Sequence, residues 1–214
     1  MTVPDRRRLY AVSAAAAWLV AALGYLILEA AAAASFRPHY SYAHDFISDL
    51  GVPSESPLAY LMNTAFCLQG TFFLVGAVLI TGAFRTHRAG LFLSLTAANA
   101  VGNLVVAAVH SGSVAHADGT IWVHQIGALL AIVGGNAAIM AGSVVVDRAG
   151  GPPWYRGVST GLATIGLLSF LLLVLRLKVA ALNFVGPAVW ERGSVYSIIA
   201  GQVFTAAYLF ARSR

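Results

Sequence analysis

The sequence is poor in charged residues. Asp, Glu, Lys and Arg together make up 10% of its 214 residues, while hydrophobic residues make up 59%. Soluble domains contain about 25% charged residues, so this composition excludes an ordinary soluble domain. We therefore expect a protein whose surroundings are largely apolar, as they are in a membrane.

Cysteine and lysine are nearly absent as well. The single cysteine, Cys67, lies within an apolar run, which excludes a disulfide framework and a multi-cysteine metal centre. Lysine occurs once, at Lys178, in a chain rich in Arg, Ala and Gly, a bias typical of a high-GC bacterial genome. The net charge of +5 comes from short basic clusters at the ends of apolar runs. This pattern favours membrane orientation over a nucleic-acid groove.

Long hydrophobic runs are the main feature that the sequence does contain. A run of about 20 apolar residues crosses the hydrocarbon layer as a helix, whereas a lone strand there would leave its backbone groups unpaired. We therefore expect an all-α polytopic membrane bundle with six transmembrane helices, forming a single domain over residues 1–214. The predicted helices are about 10–34, 58–83, 90–109, 123–146, 157–175 and 194–211.

The basic residues predict how the bundle is oriented. If the N-terminus is cytoplasmic, nine of the 13 Lys and Arg residues face the cytoplasm, which favours a cytoplasmic location of both termini. Five of the six histidines then fall on the outer side or at its boundary. We therefore expect a bacterial plasma-membrane protein whose polar site faces outward.

The first long connection contains the densest polar cluster of the chain. It ends in Ile47-Ser48-Asp49-Leu50-Gly51. This motif predicts a short helical turn that Ser48 or Asp49 caps and that ends at a left-handed Gly51. Such a loop either simply connects two helices, or holds Asp49 at the membrane boundary for function, because ionisable groups at membrane depth are costly and tend to mark function.

A second polar cluster joins the third and fourth predicted helices. It contains three histidines and a carboxylate, His110, His116, Asp118 and His124. Because zinc accepts such ligands, His110, His116, His124 and Asp49 form a candidate metal site, although their spacing matches no recognised zinc signature. The alternatives are a structural or head-group role and general acid–base chemistry without a metal.

Polar stripes follow two of the predicted helices. Asn99, Asn103 and His110 share one face of the third helix, and Gln125 and Asn136 are eleven residues apart on the fourth. Facing polar stripes indicate a hydrogen-bond network or a wet cavity. Asparagine is also an ordinary contact between membrane helices, so both interpretations stay open.

Charged residues flank the last connection. Arg176 and Lys178 follow the fifth predicted helix, and Glu191 and Arg192 precede the sixth. Arg176 either extends to the outer surface, or pairs with Glu29 or Glu191, or binds the phosphate of a head group.

Together these residues resemble the membrane proteins of domain-of-unknown-function family 998. The motifs that carry the resemblance are Ile47 to Gly51, Leu61-Met62-Asn63 with Phe66 and Gly70, His124, Gly127, Gly135-Asn136 and Glu191-Arg192. The resemblance implies a six-helix bacterial or archaeal membrane protein with no activity assigned to the family. The Ile-Ser-Asp piece is also similar to a motif of the DRAM/Sfk-type membrane proteins, some of which are linked to lipid handling. That similarity favours a lipid ligand.

A remoter comparison concerns the alkaline ceramidase/adiponectin-receptor superfamily, whose members use Ser, Asp and three His around an intramembrane zinc. Ser48, Asp49, His110, His116 and His124 supply these residue types. The chain departs from that superfamily in its six predicted helices and in lacking a paired His-x-x-x-His in a late helix. Zinc therefore stays an alternative cofactor and not the leading expectation.

Our leading hypothesis is an outward-facing polar pocket that binds the head group of a lipid or other amphiphile. The ligand-binding candidates are Asn103, Arg176, Glu191 and Arg192, and the catalytic candidates are Ser48, Asp49, His110 and His124. The first alternative is an intramembrane lipid hydrolase, with or without zinc. The second is a small-molecule transporter, which the lack of a clear proline break within the predicted helices disfavours. Membrane lipids are the expected partners, and nucleic acid is not one.

Overall fold

The computed structural model describes residues 3–86, 89–176, 179 and 185–213, with the backbone alone for residues 3–5. Within these residues it contains seven α-helices, one short 3-10 helix and no strand. The α-helices are α1 Val3–Ser35, α2 Ala59–Phe84, α3 Gly90–Ala108, α4 Ser113–Ala117, α5 Ile121–Arg148, α6 Pro153–Leu175 and α7 Pro187–Arg212. The 3-10 helix spans Ile47–Gly51, between α1 and α2. The prediction of an all-α chain is confirmed.

Six of these helices are long and apolar enough to cross a membrane by length and composition: α1 from Arg6 onward, α2, α3, α5, α6 and α7. The prediction of a polytopic bundle with six spans is therefore confirmed. The remaining α-helix, α4, spans only five residues. It lies in a segment that the apolar pattern predicts to be a loop. Which side of the membrane each end faces stays a prediction from the basic residues.

Three helices begin well before their predicted positions. α1 begins at Val3 rather than at about Tyr10, α7 at Pro187 rather than at Ser194, and α6 at Pro153 rather than at Gly157. Proline is suited to the first helical position because its backbone angle is already helical and its missing N–H has no partner to lose there. The apolar run alone misses the true start of α7 because the charged pair Glu191-Arg192 interrupts it. Lys178 lies outside the described residues.

The six long helices pack as a closed ring. Each contacts the next one around it, in the order α1, α2, α3, α5, α6 and α7, and α7 packs back against α1. α5 also contacts α2 and α7 across the ring. Trp18 joins α1 to α2, since its indole N–H donates to the Phe73 carbonyl at 3.0 Å. Sequential packing of this kind is common, because helices that follow one another along the chain usually lie next to one another.

Glycine allows an unusually close approach of α3 to α5. A Cβ at Gly102 would lie 2.9 Å from Ala131 Cα, nearer than side chains tolerate. Small residues at such points let membrane helices pack backbone against backbone. The close approach brings Asn99 of α3 within hydrogen-bond distance of the α5 backbone, which matters for the site described below.

The two ends of the ring carry different connections of the chain. Arg7, Phe84, Ala149 and Arg212 line one concavity, so the chain ends and the connections after α2 and α5 share one end of the bundle. We call this the terminal end. The opposite end carries the connections after α1 and α3 and the start of α7, and we call it the loop end.

Candidate functional site

The 3-10 helix Ile47–Gly51 packs against α1, α2 and α7 at the loop end. Asp49 Oδ2 accepts the Phe46 N–H at 2.8 Å, and the Ile47 N–H donates to Glu191 Oε2 on α7 at 2.6 Å. The predicted helical turn is therefore present. Asp49, rather than Ser48, satisfies the N–H group at its start.

Gly51 is required by a close neighbour and not by the left-handed backbone that the sequence predicted. The described glycines with positive φ are Gly112, Gly119 and Gly150. A Cβ at Gly51 would lie 2.6 Å from Asn63 Oδ1. Asn63 Nδ2 donates to the Gly51 carbonyl at 3.0 Å and lies 3.1 Å from His110 Nε2. The glycine thus lets α2 hold the turn and the end of α3 together.

The first connection wraps around the guanidinium of Arg192. Nη1 donates to the carbonyls of Tyr42 at 2.8 Å and Asp45 at 3.0 Å, and Nη2 donates to the Tyr40 hydroxyl. The guanidinium also lies 4.8 Å from the centroid of the Tyr42 ring, a cation–π contact. Because Arg192 is only 7% exposed, α7 holds this connection through a buried cation.

The counterion of Arg192 is Glu29 of α1, which is 1% exposed. Glu29 Oε1 lies 3.5 Å from Arg192 Nη2 and accepts the Tyr196 hydroxyl at 2.9 Å. Breaking such a buried pair leaves an uncompensated charge, so Glu29 and Arg192 depend on one another. We call Arg192, Glu29, Tyr40, Tyr196 and the two carbonyls the arginine clamp.

Sequence analysis offered Arg176 as a partner of Glu29, whereas the structure places Arg192 there. The reason is the early start of α7, which sets Arg192 more than a turn inside the helix, on the face toward α1. Arg176 directly follows α6 and is partly buried. It has its own contacts but does not line the cavity described next.

A cavity of about 50 Å³ lies beneath the 3-10 helix, inside the loop-end half of the ring. Its lining residues with polar side-chain atoms are Tyr25, Ser48, Gln69, Asn99, Asn103, His124 and Glu191. Apolar side chains, among them Phe66, Val106 and Ile198, complete the wall. We call this space the polar cavity.

Four of the predicted site residues meet in the polar cavity, namely Ser48, Asn103, His124 and Glu191. Sequence reasoning noticed Asn99 only as part of a stripe and missed Gln69 altogether. The available signal for Gln69 was its position as one of two amides, with Asn63, within the apolar helix α2.

The polar cavity contains hydrogen-bond acceptors that lack donors. Asn99 Nδ2 donates to the Ala131 carbonyl at 2.6 Å, which defines the orientation of its amide, and its Oδ1 is buried without a partner. Gln69 Nε2 donates to Gln202 Oε1 at 3.1 Å, and the same amide pair leaves one acceptor, Gln69 Oε1, and one donor, Gln202 Nε2, without a partner. An unmet buried polar atom costs about 1–3 kcal/mol, so each calls for a bound water or ligand.

His124 adds another acceptor to this wall. Its Nδ1 lies 2.7 Å from the Val109 carbonyl. A carbonyl only accepts, so Nδ1 carries the proton and Nε2 of the neutral ring is an acceptor. Asn103, in contrast, is tied to its own helix, since its Nδ2 donates to the Asn99 carbonyl at 2.9 Å.

The other predicted site residues lie elsewhere. His110 lines a separate surface groove of about 380 Å³ with Ser111 and Asp118, and His116 is exposed on α4. Among the residues that the structure describes, no group of three or more His, Cys, Asp or Glu is placed to hold a metal ion. The metal site of His110, His116, His124 and Asp49 stays a prediction, with His124 in the polar cavity and His110 in the surface groove.

The predicted stripe on α5 is divided as well. Gln125 is exposed, while Asn136 is fully buried. Asn136 Nδ2 donates to the Ser194 carbonyl at 2.9 Å, and its Oδ1 accepts the Ser197 hydroxyl at 2.8 Å. Asn136 is thus a contact between α5 and α7 and does not belong to the cavity.

Two carboxylates on the connections have shifted pKa values. Burial raises the pKa of Asp49, and the Phe46 N–H offsets this only in part. The pKa of Asp118 is lowered, because its carboxylate accepts hydrogen bonds from the Thr120 hydroxyl at 2.7 Å and from the Thr120 N–H at 3.0 Å. Burial also raises the pKa of Tyr40, which keeps its hydroxyl protonated as a donor to the Phe46 carbonyl at 2.8 Å.

Comparison with known proteins identifies a family and no individual relative. No curated protein and no solved structure matches the chain. The resemblance to the DRAM/Sfk-type proteins stays a prediction. A family profile described as "Protein of unknown function (DUF998)" matches residues 9–208. Since this match covers nearly the whole chain, the protein belongs to the DUF998 family of proteins of unknown function.

Proposed function

We propose that the protein binds the head group of a lipid or other amphiphile in the polar cavity. The observation that carries this proposal is the buried acceptor Asn99 Oδ1, which has no partner, with Gln69 Oε1 as a second such atom beside the unpartnered donor Gln202 Nε2. A head group that supplies donors to them recovers the free energy that their burial costs. The position within the membrane-spanning helices makes an amphiphile the natural source of that group.

The lining favours a head group that donates hydrogen bonds. Asn99 Oδ1, His124 Nε2 and the Glu191 carboxylate are all acceptors, and the described lining contains no Arg or Lys. A hydroxyl or an ammonium group complements these atoms, whereas a phosphate or carboxylate would place acceptor against acceptor.

The volume limits how much of the ligand enters. A water molecule needs about 10–15 Å³ of such volume, so a cavity of about 50 Å³ admits a small polar group of a few heavy atoms. The remainder of the amphiphile then stays outside the polar cavity, among the helices and in the surrounding lipid.

The test uses amphiphiles that share one alkyl tail and differ in the head group: an amine, an alcohol and a phosphate. We expect the amine and the alcohol to raise the unfolding temperature of the detergent-solubilised protein. Saturation at a hundred times Kd corresponds to about 2.7 kcal/mol. The phosphate should have no such effect.

Two buried asparagines provide matched variants for this test. Asn99→Ala should abolish the stabilisation by the amine, because it removes the unpartnered acceptor. Asn136→Ala should retain it, because Asn136 contacts α7 rather than the cavity. Equal stabilisation of the Asn99→Ala variant and the wild type, or equal response to all three head groups, would refute the proposal.

A lipid hydrolase is the second candidate, because two of the predicted catalytic residues, Ser48 and His124, line the same cavity. This alternative predicts slow turnover of a lipid ester or amide that disappears in Ser48→Ala. If the protein binds such lipids but hydrolyses none in a panel of them, the hydrolase alternative is refuted and the binding function remains.

A further inference from the structure

A second concavity, unrelated to the polar cavity, lies at the terminal end of the bundle. It encloses about 410 Å³ between α1, α2, α7 and the residue that follows α5. Its lining residues are Arg7, Arg8, Ala11, Ala83, Phe84, Ala149, Leu209, Arg212 and Ser213. The lining thus combines three arginines with an apolar floor.

The electrostatics of this concavity favour an anion. No carboxylate is among the described residues that line it. Among the described side chains of this end, Asp147 carries a carboxylate, and Arg156 binds it at 2.9 Å. A guanidinium binds phosphate oxygens through paired N–H groups, so three arginines that have no carboxylate among the described lining residues are suited to a phosphate.

Arg212 is held in position by two aromatic neighbours. Its Nη1 donates to the Tyr208 hydroxyl at 2.9 Å, and its guanidinium carbon lies 5.4 Å from the centroid of the Phe84 ring. One of its five N–H groups is used in the bond to Tyr208, which leaves others for a ligand. Such a preorganised guanidinium loses less conformational entropy when it binds an anion.

An apolar groove adjoins the arginines on the other side of Arg212. It encloses about 460 Å³ and is lined by Trp154, Phe204, Ala207, Tyr208, Ala211 and Arg212. Trp154 is 56% exposed there. Trp and Tyr are typical of the interface between hydrocarbon and head groups, so the groove lies at the depth where an acyl chain begins.

We propose that the terminal end binds an anionic phospholipid, with its phosphate among Arg7, Arg8 and Arg212 and an acyl chain along the groove of Trp154 and Phe204. The shared residue Arg212 joins the two parts of the site. The proposal is independent of the polar cavity and of which side of the membrane the terminal end faces. Basic pockets between membrane helices are suited to such head groups.

The experiment compares phosphatidylglycerol with phosphatidylcholine in mixed micelles at constant ionic strength. We expect phosphatidylglycerol to raise the unfolding temperature of the wild type and phosphatidylcholine to have little effect. Inorganic phosphate at the same concentration should stabilise far less, because it lacks the acyl chain. Equal stabilisation by inorganic phosphate would show a simple anion site and overturn the lipid assignment.

Charge-matched variants separate a built site from general attraction to a basic surface. Arg212→Gln and Arg156→Gln each remove one positive charge from the same end, but Arg156 lies outside the lining. We expect Arg212→Gln to weaken phosphatidylglycerol binding roughly fivefold, and Arg156→Gln to leave it near the wild-type value. Equal losses in both variants would overturn the site. So would unchanged affinity in the triple variant Arg7→Gln, Arg8→Gln, Arg212→Gln.

Discussion

Two buried polar regions at the loop end differ in how many protein partners their groups have. In the arginine clamp, Arg192 reaches two carbonyls, a hydroxyl and the carboxylate of Glu29, while Arg192 Nε and Glu29 Oε2 have no partner. In the polar cavity, Asn99 and Gln69 each keep a buried oxygen without a partner. Paired groups contribute to the stability of the fold, whereas unpaired groups cost stability until a ligand or water satisfies them.

The two regions share a helix, which sharpens the comparison. Glu191 lines the polar cavity and Arg192 belongs to the clamp, although they are consecutive residues of α7. Consecutive helical residues point about 100° apart, so one turn of helix serves both. A change at one region can therefore be compared with a change at its neighbour in the same backbone.

The largest expected effect comes from breaking the clamp. Arg192→Met removes the cation and leaves Glu29 buried without its counterion, together with the unmet carbonyls of Tyr42 and Asp45. We expect a loss of about 3–5 kcal/mol in the free energy of unfolding. Thermal unfolding in detergent measures the loss, and limited proteolysis should show earlier cleavage between α1 and the 3-10 helix.

The control for this variant is an ion pair on the surface. Arg156 and Asp147 lie 2.9 Å apart, with side chains 53% and 31% exposed. Arg156→Ala should cost less than about 1 kcal/mol, since solvent screens exposed pairs. Similar losses in the Arg192 and Arg156 variants would mean that the clamp does not stabilise the loop end.

An intermediate effect is expected for the two buried asparagines in the ligand-free protein. Asn136→Ala removes contacts to Ser194 and Ser197 of α7 and should cost about 1–2 kcal/mol. Asn99→Ala should cost less, because the loss of its bond to Ala131 is offset by removal of a buried oxygen without a partner. Chemical or thermal unfolding of both variants ranks them. A larger loss for Asn99→Ala would mean that its unpartnered oxygen does not lower the stability of the ligand-free protein.

The smallest expected effect concerns pH and Asp49. Burial raises its folded pKa above the ordinary value of 3.8, so the folded state binds the proton more tightly than the unfolded state. The resulting stability is fully present below the unfolded pKa and is lost as the pH rises through the raised folded pKa. Asn at this position cannot lose a proton, yet its oxygen still accepts the Phe46 N–H.

Unfolding temperatures of Asp49→Asn and the wild type across this acid range test the sign. We expect the unfolding temperature of Asp49→Asn to increase relative to that of the wild type as the pH rises, and the difference between them to become constant at higher pH. Asp118→Asn is the control: the pKa of Asp118 is lowered, so any effect has the opposite sign, and its full exposure keeps that effect negligible. A difference between Asp49→Asn and wild type that is constant with pH would contradict the prediction.

Much of the fold follows from local properties of the sequence. The lengths of the apolar runs predict six spans, and Ile47 to Gly51 predict the turn that the structure contains. The start of α7 cannot be predicted in this way. Glu191 and Arg192 interrupt the apolar pattern, and a charged pair is assigned to a loop when its buried partners are unknown. Gly51 illustrates the same limit, since its requirement comes from Asn63 of α2 and not from its own backbone angle.

The sequence by itself determined the all-α class, the number of spans and the residue types available to a site, because these depend on composition and on neighbours along the chain. Only the tertiary structure decided that Glu29 pairs with Arg192 and not with Arg176, and that Asn99 faces a cavity while Asn136 contacts α7. The physical reason is that a buried polar group is governed by the partner it meets across the ring. That partner is set by where each helix begins and which face it turns inward.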